Sequence, residues 1–314
     1  MKPSFKNILV VGGAGYVGTT LVGLLLKNNY NVTVFDSLQA GGNGLIAFFS
    51  SKQFSFIKGD IRNNKQMQHA LKNIDAIIHL AAIVGFPACR RDPELSFDIN
   101  VNGTRTLVKQ IQGKMPIFFA STGSVYGKVT KKICTEKSPL HPLSEYGSQK
   151  AKAEEIIKKN KEFVIYRFAT AFGVSPHMRL DVLPNNFTYK AVKEKSIIVY
   201  EKKFMRSFIH VRDMGRSFLF ALENYSKMKG QIYNVGDSTM NFNKEDICLL
   251  IKKKIDYYLH FADIGTDLEQ RDYCVSYEKL ASLGFHTTIA IEEGIDELIK
   301  VADVIQAPNI YVDM

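Results

Sequence analysis

Tyr146 and Lys150 stand four residues apart in Glu145-Tyr146-Gly147-Ser148-Gln149-Lys150. On a helix that interval puts two side chains on one face. An ammonium beside a phenol favours the phenolate and brings the tyrosine toward titration at working pH. A tyrosine in that state takes a proton from a substrate hydroxyl. With a hydride acceptor beside it, one carbinol can then lose its hydroxyl proton and the hydride on its carbon.

The N-terminal segment carries the signature of such an acceptor. A short apolar run, Asn7 to Val11, empties into Gly12-Gly13-Ala14-Gly15-Tyr16-Val17-Gly18. Gly12 is expected to make the tight turn, Gly15 to let the backbone approach a pyrophosphate, and Gly18 to pack helix on strand. The helix opening at Tyr16 and Val17 offers free N–H groups to the phosphates. Asp36 closes the next strand, where its carboxylate suits both hydroxyls of an adenosine ribose. Ser37, Leu38 and Gln39 bring no cation for a 2′-phosphate, so the spacing favours NAD over NADP.

The elements that position these residues follow from the pattern. Apolar runs at Asn7–Val11, Asn31–Phe35, Phe54–Lys58, Ile74–Leu80, Pro116–Ala120 and Phe163–Phe168 read as strands. Helices are expected at Tyr16–Lys27, Asn64–Lys72, Pro93–Gln112 and Glu145–Lys159. This rhythm predicts an α/β fold, a Rossmann doubly wound parallel sheet with right-handed crossovers. It breaks after Gly173, where Ser175-Pro176 and Leu183-Pro184 punctuate the chain. Residues 1–174 are therefore expected to form the NAD-binding domain, with a return segment near 207–236. Residues 175–314 are mainly a smaller substrate-binding lobe.

Composition sets limits. The 314 residues are 46 % hydrophobic, with four scattered cysteines and a formal charge of +10. No Cys-x-x-Cys or ligand spacing points to a metal. The lysines are spread over helices, without the aromatic-lined basic stripe of a nucleic-acid binder. No apolar run approaches the roughly 20 residues of a membrane span. A cytoplasmic protein without nucleic-acid or membrane partners is the expectation, and a nucleotide diphosphate is the anion its charge would serve.

The chain resembles the extended short-chain dehydrogenases/reductases of the nucleotide-sugar epimerase/dehydratase group over essentially its whole length. The resemblance is carried by Gly12–Gly18, Asp36, Gly59-Asp60-Ile61, His79-Leu80-Ala81-Ala82, Asn100–Thr104, Ser121–Gly127, Tyr146–Lys150 and Arg206–Asp213. It implies Tyr146 as general acid/base, Lys150 as holder of the nicotinamide ribose, and Thr122 as hydrogen-bond partner of the reacting oxygen. Asp60 and Ile61 would contact adenine. Leu80, Ala81 and Ala82 would line the dinucleotide, and Asn100 would sit near it. His79 reads as a packed strand residue. For the nucleotide sugar, Arg206 and Arg271 would grip the diphosphate, Asn186 would face the diphosphate or base, and Thr170 and Arg179 would reach the sugar.

The same resemblance implies hydride removal from a sugar carbon, usually C4, giving a 4-keto intermediate. A dehydratase needs an acid and a base directly after the catalytic threonine, and Gly123 and Ser124 supply neither. Cys134 with Lys128 would be the pair for a 3,5-epimerase, without a spacing that singles them out. C4 epimerisation and simple C4 oxidation, as in dehydrogenases of GDP-linked heptoses, both remain open. Either would serve surface-polysaccharide or sugar-nucleotide biosynthesis. A non-catalytic NAD- or nucleotide-sugar-binding protein is the reading from a different class. The helices Pro93–Gln112 and Glu145–Lys159 imply a homodimer.

Overall fold

Strand β1 (Asn7–Val11) explains the architecture in five residues. Ile8 and Val10 join the core on one side of the sheet, while Leu9 and Val11 join the core on the other. A strand apolar on both faces belongs inside a sheet covered by helices on both sides. The computed structural model describes residues 5–127, 133–262 and 274–305. Further strands are β2 (Asn31–Asp36), β3 (Phe54–Lys58), β4 (Ala76–His79), β5 (Ile117–Thr122), β6 (Ile133–Cys134), β7 (Phe163–Phe168), β8 (Thr170–Phe172), β9 (Ser196–Tyr200), β10 (Arg206–His210), β11 (Gln231–Val235), β12 (Asn241–Phe242), β13 (Tyr258–Ala262) and β14 (Cys274–Val275).

Seven strands form one parallel sheet in the order β11-β7-β5-β4-β1-β2-β3. The order reverses between β1 and β4. In doubly wound sheets the crevice beyond the strand ends at that reversal receives ligands. The helices Tyr16–Lys27 and Val211–Glu223 cover one face of the sheet; Thr104–Ile111 and Glu145–Lys158 cover the other.

A second core gathers Phe172, Ala191, Ile197, Val199, Phe208, Ile247, Ile251, Ile291 and Ile295. It surrounds the small sheet β12-β10-β8 and the parallel pair β13-β9. Only Ala169 separates β7 from β8, so the end of the main sheet feeds straight into the second lobe.

Two expected elements differ in detail. The fourth strand is shorter than Ile74–Leu80, because Leu80 and Ala81 turn to donate their N–H groups to the Val11 carbonyl, both at 2.8 Å. The single helix expected over Pro93–Gln112 is Pro93–Phe97, a π-helical turn Asp98–Gly103, then Thr104–Ile111. Such wide turns recur at functional sites. Here the turn carries Asn100, and the Thr104 hydroxyl donates to the Asn100 carbonyl at 2.7 Å.

Candidate active site

The glycine loop sits at the end of β1, against the end of β4. Gly12 adopts φ +85°, and a Cβ there would meet the Ala81 nitrogen at 2.4 Å. Both the turn and the approach of β4 therefore require glycine. Gly15 differs: a Cβ there would meet only the Gly12 carbonyl oxygen, at 3.9 Å. Gly15 is also the N-cap of Tyr16–Lys27, a helix start with no side-chain cap and no acidic residue in its first turn. Uncapped N–H groups beside open space are a cradle for a diphosphate.

Asp36 fastens the same loop. Its carboxylate accepts from the Ala14 N–H at 3.0 Å and from the Leu38 N–H at 2.8 Å. The cradle, the acid at the end of β2 and the small residues Ala81 and Ala82 together fit a dinucleotide.

Tyr146 and Lys150 occupy the expected helix, Glu145–Lys158. Ser144 caps it by accepting from the Gly147 N–H at 3.2 Å. Gly147 lets the helix lie against the loop after β5, since a Cβ there would come within 2.7 Å of the Ser124 carbonyl oxygen. That contact brings the first helical turn to Thr122, whose hydroxyl lies 3.0 Å from the Ser124 hydroxyl. Tyr146 is 8 % exposed and Lys150 3 %. The Lys150 ammonium rests 4.4 Å from the centroid of the Phe119 ring on β5. Burial pulls Lys150 down to about 7, with Glu154 and then Cys89 opposing.

His79 is fully buried, with Nε2 2.9 Å from the Thr104 hydroxyl. Burial first, and Lys150 second, lower it to about 3. A neutral, packed imidazole results.

Several expected cofactor residues are committed elsewhere by their side chains. The Tyr16 phenol donates to the Gly173 carbonyl at 2.6 Å, and burial raises it well above its ordinary range. Only its main chain belongs to the cradle. Asn100 donates to the Ile83 carbonyl at 3.0 Å and to Gln149 Oε1 at 2.7 Å, while its own oxygen accepts from the Ile83 N–H at 2.8 Å. It holds the loop after β4 in place. Asp60 is paired with Arg62 at 2.6 Å, and those hydrogen bonds keep its carboxyl below the usual carboxylate range. Ile61 is buried against Gly103. Val17 packs against the core.

A cleft opens beside Thr122, lined among others by Phe168, Thr170, Met205, Arg206 and Tyr277. It brings Thr122, Thr170 and Arg206 together from three different strands. Arg179 approaches from the loop after β8; its Nε donates to Asp181 at 2.9 Å, and its charge acts on both the Tyr146 and Tyr16 phenols. Asn186 does not line this cleft, and its amide donates to the Leu180 carbonyl at 2.9 Å. Arg271 lies outside the described residues, as does Lys128. Cys134 is buried, and burial pushes its thiol up to about 11, which suits packing better than proton transfer. Among the described residues no group of His, Cys, Asp and Glu could hold a metal ion, and no helix is long and apolar enough to cross a membrane.

Three residues of consequence were not singled out from sequence. Asn185, the neighbour of Asn186, is fully buried. It accepts from the Gly173 N–H at 2.9 Å and donates to the Arg179 carbonyl at 2.8 Å. Glu154 and Arg167 form a buried pair at 2.7 Å, and Ser121 donates to Glu154 at 2.5 Å. Glu154 continues the Tyr146–Lys150 spacing by four more residues, a signal that was present in the sequence.

A putative UDP-glucose 4-epimerase of Methanocaldococcus jannaschii is 29 % identical over 307 residues, covering 93 % of this chain and 97 % of that protein. The CDP-paratose 2-epimerase of Salmonella typhi is 25 % identical over 330 residues, covering 93 % and 98 %. The fold is shared with a UDP-glucuronic acid 4-epimerase from Bacillus cereus, solved with UDP-glucuronic acid and NAD, at TM-score 0.85 and 23 % identity over 95 % of this chain and 99 % of that one. The family model described as "NAD dependent epimerase/dehydratase family" matches residues 8–236. With its Rossmann sheet, the chain belongs to the NAD-dependent epimerase/dehydratase family of extended short-chain dehydrogenases/reductases.

Proposed function

We propose that the protein acts at C4 of a nucleotide-diphosphate sugar, oxidising it to a 4-keto intermediate and returning it as the C4 epimer. The observation that carries this reading is the burial of Tyr146 and Lys150 on one face of a helix whose Gly147 packs against the loop that follows Thr122.

In this reading Tyr146 takes the proton of the C4 hydroxyl and later gives it back. Lys150 stabilises the phenolate that proton transfer requires. Thr122, at the end of β5, hydrogen-bonds the reacting oxygen. Gly12, Gly15, Asp36 and the strand-end residues Leu80, Ala81 and Ala82 would hold NAD, which supplies a hydride acceptor when bound. Arg206 turns a guanidinium toward the diphosphate, and Thr170 and Arg179 bound the sugar. Arg271 keeps its assignment as the second diphosphate arginine. Dehydration lacks its acid and base, because Gly123 and Ser124 follow Thr122.

Oxidation at C4 without inversion is the second reading. It is favoured by Thr170, a cleft residue where ordinary UDP-galactose epimerases, as the sequence resemblance implies, have asparagine. The carbon is itself part of the proposal, since the relatives are named for C4 and for C2 chemistry. A homodimer in the cytoplasm, working in surface-polysaccharide or sugar-nucleotide biosynthesis, completes the proposal.

The test is incubation with NAD and a panel of UDP-, GDP-, CDP- and dTDP-sugars, following the reduced-nicotinamide absorbance and the NMR spectrum of the sugar. An inverted C4 supports epimerisation and a stable 4-keto product supports the second reading. Binding without turnover of any panel member would leave only a nucleotide-sugar-binding protein.

A further inference from the structure

The main-sheet face of the helix Glu145–Lys158 presents Tyr146, Lys150 and Glu154 at successive intervals of four, and all three are buried. The first two have work in the proposed reaction; the third does not. A buried carboxylate is costly unless it is paired. Glu154 is paired on its far side: the Arg167 fork donates to Oε1 at 3.0 Å and to Oε2 at 2.7 Å, and Ser121 donates to Oε1 at 2.5 Å. Arg167 is tied in turn to the Tyr126 hydroxyl at 3.2 Å, and Tyr126 to Asn234 at 2.5 Å. The carboxylate is thus pinned by β5, β7 and β11, one helical turn beyond Lys150.

Lys150 has the opposite difficulty. Burial favours the neutral amine, and a neutral amine cannot stabilise a phenolate on Tyr146. The groups that face it come from four elements. Tyr146 and Glu154 share its helix, the Cys89 thiol comes from the helix Phe86–Arg91, the neutral His79 imidazole from β4, and the Phe119 ring from β5. Burial keeps Cys89 protonated, raising it to about 11. Of these groups, Glu154 most favours the charged lysine.

We propose that Glu154 is a positioning residue for the acid–base pair, the buried counter-charge that keeps Lys150 an ammonium, with Arg167 and Ser121 fixing that charge in place. The inference rests on the reading of Tyr146 and Lys150 as the proton-transfer pair. Its test reads the lysine directly and needs no substrate, so it can fail while the sugar panel succeeds, or the reverse.

The experiment labels the protein with lysine carrying carbon-13 at Cε and titrates it by NMR. The resonance that vanishes in Lys150→Met is assigned to Lys150. In Glu154→Gln its midpoint is expected to fall by about one pH unit, the scale of losing one charge a helical turn away in a partly screened interior. A folded Glu154→Gln protein whose midpoint matches the wild type would overturn the proposal. Should that variant not fold, Glu154→Gln with Arg167→Met leaves no uncompensated buried charge. The midpoint is still expected to fall, since the charge that favours the ammonium is gone, and an unchanged midpoint there is equally fatal. A purely structural ion pair would move the melting temperature and leave the titration where it was.

Discussion

The Lys150 amino group lies 4.4 Å from the centroid of the Phe119 ring, so a buried basic side chain from the helix Glu145–Lys158 is seated on the strand that ends in Thr122. A ring face attracts a cation more strongly once water is excluded. The contact joins helix to strand one helical turn from Tyr146. Phe119→Leu keeps the bulk and removes the ring face. It is expected to lower kcat several-fold with little change in NAD affinity, measured by steady-state kinetics and by NAD titration.

Gly12 and Gly15 should separate folding from binding. Gly12→Ala places a methyl into Ala81 at a positive φ, at a cost of about 1–3 kcal/mol in strain alone. Gly15→Ala meets no protein atom closer than 3.9 Å and should leave stability within about 1 kcal/mol of wild type. Its effect is expected on NAD, with affinity down tenfold or more as the methyl enters the diphosphate cradle. Denaturant unfolding and NAD titration of the two variants check the contrast.

The glycine loop and the Tyr146–Lys150 pair were legible because their information is local: one turn, one helix face. The parallel sheet was legible from runs such as Ile8–Val11, apolar in both phases. What escaped is carried by long-range partners. The Tyr16 phenol reaches Gly173, 157 residues on. Arg167 reaches Glu154 across a strand boundary. Asn185 rather than Asn186 faces inward because the phase of the helix Leu183–Lys193 against the second core decides it, and neighbouring asparagines look alike in a sequence. The π-helical turn at Asp98–Gly103 has no signature in an otherwise ordinary helical pattern.

His79 predicts an acid-side loss of stability. Its folded value is lowered to about 3 from an ordinary 6.5, so the unfolded chain binds a proton that the folded one refuses. Above about pH 6.5 the group contributes no pH dependence. As pH falls from about 6.5 toward 3, unfolding becomes easier by up to about 1.4 kcal/mol per pH unit for this one proton. His79→Gln should show a shallower fall of unfolding free energy over that window. An unchanged slope would mean that His79 is protonated in the folded state.

The buried Glu154–Arg167 pair should be expensive to break. Arg167→Ala leaves Glu154 without its fork and is expected to destabilise by about 3–5 kcal/mol. Urea unfolding measures it, and a loss under 1 kcal/mol would show that water reaches the pair.

Transfer of the C4 hydrogen as hydride, with the proton taken by Tyr146, is tested most directly with a turned-over nucleotide sugar deuterated at C4. The account predicts deuterium still on C4 of the epimer, or on the reduced nicotinamide if oxidation is the net reaction. It also predicts a rate reduced by about 10²–10⁴-fold in Tyr146→Phe with NAD still bound. Deuterium washed out into solvent, or a Tyr146→Phe protein turning over at the wild-type rate, would contradict it.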